Sequence, residues 1–208
     1  MTIKTIKFKS VNNSDPEMDR EVKGLIIAVS LFAAGMIIGA GLLKSSTFNN
    51  PDFISLFDNF VQIRAEQKIY QLFFNSLAIN LACIFVINFA ATSCIGIPLA
   101  VVIPVIKGLG TGIVAGYLFS EFTINGIGYY LLTMLPGCVI CNTAILLACN
   151  DACFLSADIL ATVLSRKQPD SNVLKNYLKR NIIIIILTIS SALIECLSVK
   201  IFAYMFIF

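Results

Sequence analysis

From Gly96 to Pro136 the sequence is largely apolar, yet it holds three prolines (Pro98, Pro104, Pro136), glycines at 108, 110, 112 and 116, and one lysine, Lys107. In water such a mixture breaks a helix, because proline removes a backbone donor and glycine costs conformational entropy. In a bilayer, neighbouring helices re-satisfy the freed backbone groups, so the same mixture is tolerated. The stretch therefore demands an all-α, polytopic membrane helix bundle, packed closely and with one charge kept inside. Composition agrees: hydrophobic residues make up 58% of the 208 and charged residues 13%, against roughly 25% charged in soluble domains.

Several function classes fall away on the same grounds. A net charge of +3 makes no case for nucleic acid. The absence of histidine removes the usual general base and the commonest metal ligand, so no catalytic set, metal or cofactor is expected. The seven cysteines (83, 94, 138, 141, 149, 153, 196) sit in or beside apolar segments, where thiols pack as small hydrophobes. Cys138 and Cys141 form a CxxC, but in this setting packing is the better account than a metal or redox site.

Along the chain, residues 1–23 read as a basic cytoplasmic tail, and 24–208 as a single integral-membrane domain. Spans are expected near 25–43, 74–91, 97–119, 127–149 and 182–207, each long enough for a hydrocarbon core of ~30 Å. Gly35 and Gly39 make a small-xxx-small face on the first, and Gly108, Gly112 and Gly116 another on the third, suited to close helix contact. The segment 96–120 either crosses as a proline-broken helix or re-enters. The outer loop 44–73 carries Asn50-Pro51, a helix-starting pair. Phe53, Phe57, Phe60, Val61, Arg64 and Lys68 then follow at helical spacing, so 51–73 reads as an interfacial amphipathic helix or, equally, as an extension of the next span. The three phenylalanines are the candidate partner-binding residues. Residues 150–164, with Asp151 and Asp158, read as a further interfacial helix.

Charge placement orients the chain. Lys4, Lys7, Lys9, Arg20 and Lys23 precede the first span, and five basic residues against one acid lie in the linker 165–180. Cytoplasmic loops collect Lys and Arg, so five crossings put the amino terminus and this linker in the cytoplasm of a cell-membrane protein.

Polar groups within spans are expensive and need partners. Lys107 and Glu195 are the candidates for an interior charge pair, and Asn80 and Asn88 for amides bonded across helices. Membrane lipid is the partner composition requires; a homo-oligomer is left open by the small-residue faces.

With those residues assembled, the chain resembles the stage II sporulation protein M family of bacterial multi-pass membrane proteins. The likeness is carried by Gly96-Ile97-Pro98, the apolar run to Lys107-Gly108, Gly112 and Gly116, Leu135-Pro136, and Ala192 to Glu195 in the last span. Many members outside the sporulation branch follow Leu-Pro with His-Gly and a Glu, whereas here Gly137-Cys138-Val139-Ile140-Cys141-Asn142 follows. The resemblance implies a non-enzymatic scaffold at the sporulation septum. Its implied partners are stage II sporulation proteins D and P, which degrade peptidoglycan during engulfment. A different class is implied by the residues alone: a small transporter or permease-like subunit, with the proline-glycine segment as a discontinuous helix and Lys107 meeting an anion.

Overall fold

The computed structural model describes residues 16–42, 68–93, 96–165 and 171–202, all but a few of them helical. Five helices follow in order: α1 Pro16–Leu42, α2 Ile69–Ala91, α3 Gly96–Tyr129, α4 Leu135–Ser165 and α5 Ser171–Phe202. A short π-helical segment, Tyr130–Met134, joins α3 to α4. Within them lie five stretches long and apolar enough to cross a membrane: Arg20–Leu42, Ile69–Ala91, Gly96–Ser120, Gly126–Leu164 and Lys175–Phe202. The shortest, 23 residues, is about 35 Å of helix, enough for a ~30 Å core. The outer faces carry exposed Ile37, Phe85, Phe89, Ile106 and Leu164, a surface that suits lipid rather than water. The chain is a polytopic membrane helix bundle.

α3 is continuous through its prolines. Pro98 lies in its first turn, where a backbone N–H has no intrahelical partner, and Pro104 is inside the helix and fully buried. Where the sequence suggested a broken or re-entrant segment at 96–120, the structure has one continuous helix of crossing length. The fourth helix also runs further than its sequence suggests. No glycine or proline occurs from Cys138 to Ser165, so nothing stops the helix at Cys149. Residues 150–164 continue the fourth helix instead of forming a separate one.

Helix direction follows from contacts. A Cβ on Gly96 would meet Ser156 at 3.0 Å, while Tyr117 and Leu118 cluster with Tyr129 and Met134. Residues 96–118 and 129–156 therefore run antiparallel to each other. α1 and α3 run parallel and touch backbone to backbone: Cβ atoms on Gly35 and Gly39 would strike the carbonyl oxygens of Val105 and Leu109. Those on Gly108 and Gly112 would strike the carbonyls of Phe32 and Met36. Gly116 is half-buried further along α3. The α2–α3 connection is as tight. Thr92 Oγ1 donates to Phe89 O at 2.8 Å, Gly96 N–H donates to Ser93 O at 3.1 Å, and Ser156 Oγ ties Ser93 O to α4 at 2.7 Å.

The main core is built on one face of α4. Cys141, Ala144, Ala148, Cys149 and Ala152 are buried there against Ile84 and Ile87 of α2 and Ile184 of α5. Small side chains let those helices approach α4 closely, which is what holds membrane bundles together when lipid and core are equally apolar.

Candidate functional site

The helices enclose a cavity of about 330 Å³ at mid-span, lined by residues of all of them except α1. Lys107 enters it from α3, eleven residues after Gly96, or about 16 Å along the axis and so near the bilayer centre. Glu195 enters from α5 and is 5% exposed. Both are held by one face of α2. Lys107 Nζ donates to Asn80 Oδ1 at 3.2 Å, and Ser76 Oγ donates to Glu195 Oε2 at 2.6 Å. Ser76 and Asn80 are four residues apart, hence neighbours on a helix surface, so α2 bridges the cation of α3 and the carboxyl of α5.

Gly137 makes room for Glu195: a Cβ there would lie 2.7 Å from the Glu195 Cβ. The π segment has a local cause. Leu135 N–H donates to Tyr130 O, five residues back, and Pro136 follows with no N–H to give the ordinary bond to Leu132. This single widened turn sets Tyr130 and Met134 on the cavity wall, beside Cys138 and Cys141. The cavity opens to the outside between α2 and α3, where Ile79 and Ile106 are both 62% exposed and a Cβ on Gly110 would meet nothing within 4 Å.

A second polar cluster lies at the end of the bundle shared by the start of α1 and the ends of α2 and α4. Arg180 of α5 reaches Glu21 of α1 at 2.6 Å and Asp151 of α4 at 2.8 Å. Asn150 Nδ2 donates to the Glu21 carbonyl at 3.3 Å. Asn88 of α2 is tied to α5: its Oδ1 accepts from Tyr177 Oη at 2.5 Å and Asn181 Nδ2 at 2.7 Å, and its Nδ2 donates to Asn181 Oδ1 at 3.1 Å. Each buried amide here meets a group on another helix, as a dry interior requires.

Of the residues singled out from sequence, Lys107, Glu195 and Asn80 come to one cavity, and Asn88 lies in the second cluster. Gly35, Gly39, Gly108 and Gly112 meet at the α1–α3 contact, and Pro136 stands after the π turn. Phe53, Phe57 and Phe60 lie outside the described residues. Ser76, Tyr130, Asp151, Tyr177 and Arg180 were not foreseen; the arginine and aspartate had a signal in Asp151's place within an otherwise apolar run. Among the described residues, no three His, Cys, Asp or Glu side chains are grouped to hold a metal ion, and Cys138, Cys141, Cys149, Cys153 and Cys196 are free thiols.

A sequence model described as stage II sporulation protein M matches residues 28–197. The chain belongs to the stage II sporulation protein M family. The match starts within α1 and ends within α5, so the family pattern takes in the α1–α3 glycine contact and every residue of the central cavity named above. No curated protein and no solved structure matches the chain.

Proposed function

We propose that this member of the stage II sporulation protein M family is a non-enzymatic scaffold of the cell membrane, anchoring peptidoglycan-degrading proteins at the septum during engulfment. Its partners on this reading are stage II sporulation proteins D and P. The carrying observation is the family match across the whole bundle. The geometry is in keeping with it, because the polar side chains of both clusters serve as ties between helices. Arg20, Lys23, Lys175, Lys179 and Arg180 gather at one end, which supports a cytoplasmic amino terminus by the positive-inside tendency. The connection between α1 and α2 then faces outward, towards the wall.

A transporter subunit is the second reading, favoured by one observation: Lys107 stands in a cavity at mid-span that opens sideways. Complementation separates the two. Deletion in a sporulating host should stall engulfment, and Lys107→Ala, provided it accumulates in the membrane at the wild-type level, should restore it. A solute-dependent phenotype that Lys107→Ala abolishes would favour transport.

A further inference from the structure

A cavity that adjoins the second polar cluster through Arg20, Asn150 and Phe154 lies in the angle between α1, α3 and α4. It holds about 400 Å³, within the roughly 300–1,000 Å³ of small-molecule sites. Ile27, Leu31, Val101 and Ala157 are among the apolar side chains along it, and Arg20 and Lys23 stand at its outer end. Its lining contains no acidic side chain.

The position of that cationic rim is set by the bundle. Arg20 and Lys23 lie one turn apart on α1, just before its apolar run begins at Leu25, which suits them to the level where headgroups meet hydrocarbon. The Arg20 guanidinium lies over the Phe154 ring, 5.1 Å from its centroid, a cation–π contact that turns it towards the slot. Glu21, between the two cations in sequence, lines the adjoining pocket with Arg20, Asp151 and Asp158 and is engaged by Arg180 at 2.6 Å. Asp151 is engaged by the same arginine at 2.8 Å. Two outward cations above a greasy slot match an amphiphile with an anionic head and an apolar tail.

We propose that this slot is a specific site for an anionic phospholipid, the phosphate held by Arg20 and Lys23 and one acyl chain lying between α1, α3 and α4. Basic pockets between membrane helices recognise acidic headgroups by this combination of charge and depth. A lipid here would wedge the first helix against the rest of the bundle.

The test is native mass spectrometry of the purified full chain in neutral micelles, titrated with phosphatidylglycerol or with phosphatidylcholine of the same acyl chains. The wild type should retain phosphatidylglycerol preferentially. Each rim cation is worth about five-fold in affinity, so Arg20→Gln with Lys23→Gln should weaken retention by about 25-fold. Lys175→Gln with Lys179→Gln, which removes the same charge at the same end but outside the slot, should change it by less than about two-fold. Ala157→Phe, which fills the slot and leaves the rim charges, should also lose the lipid while melting normally in micelles without added lipid. Equal retention of both lipids by the wild type would overturn the proposal. So would equal loss in the Lys175/Lys179 pair, displacement by glycerol 3-phosphate alone, or occupation of the slot by a second copy of the chain.

Discussion

Arg180→Ala should destabilise the folded bundle by about 2–3 kcal/mol. Removing one partner of a buried pair costs roughly 3–5 kcal/mol, because a charge is left behind without compensation. A smaller figure applies here because the Arg180 side chain is 39% exposed and Glu21 46%, so solvent and salt screen part of the interaction. Asp151 dominates the outcome. Its side chain is only 5% exposed, and without the guanidinium at 2.8 Å its carboxylate faces helix interior. Asp151→Asn added to Arg180→Ala should recover most of the loss, whereas Glu21→Gln added to Arg180→Ala should recover little. Denaturation of the three variants in neutral micelles, followed by circular dichroism, checks the ordering. Equal recovery by either second substitution would show that no one carboxylate bears the cost.

Gly112→Leu should be the most damaging change at the α1–α3 contact. A Cβ there would strike the Met36 carbonyl oxygen and lie 2.9 Å from the Met36 Cα; both are backbone atoms and cannot swing aside. Overpacking costs about 1–3 kcal/mol when side chains can yield, and with two backbones in contact the upper part of that range applies. The expected consequence is that α1 separates from α3 and residues 16–42 become sensitive to protease in micelles. Gly110→Ala is the internal control. It stands two residues away on the same helix, nothing lies within 4 Å of its added carbon, and alanine favours helix by about 1 kcal/mol. It should leave the melting temperature unchanged or raised. Damage from Gly110→Ala as large as from Gly112→Leu would mean that helix propensity, not close approach, governs this face.

Those two predictions also show what the chain discloses before folding. The five spans are legible because hydrocarbon thickness sets a minimum apolar length, and every span in the bundle meets it. The glycine contact is legible because residues four apart share a helix face, so the spacing of Gly35, Gly39, Gly108 and Gly112 is already a statement about geometry. Lys107 and Glu195 stand out because charges within apolar runs are costly. Their joint dependence on α2 was hidden, since a serine such as Ser76 is unremarked in any membrane helix until a neighbour presents a carboxyl. The Arg180–Glu21–Asp151 cluster was hidden for a related reason: its members come from three helices, and no spacing rule connects them. The π turn was masked by Pro136, which marks a disturbance in a helix without saying whether it bends, ends or widens. The continuity of α4 past Cys149 was hidden because Asp151 and Asp158 made 150–164 read as a separate helix, while the backbone holds no glycine or proline able to stop it.

The scaffold reading is tested most directly by recovering the protein, with its own membrane, from sporulating cells and assaying the eluate for peptidoglycan cleavage. The account predicts cleaving activity with the wild type, the same activity with Lys107→Ala, and its loss when Phe53, Phe57 and Phe60 are changed to serine while the protein still inserts. No activity with the wild type, or undiminished activity with the triple serine variant, would contradict it.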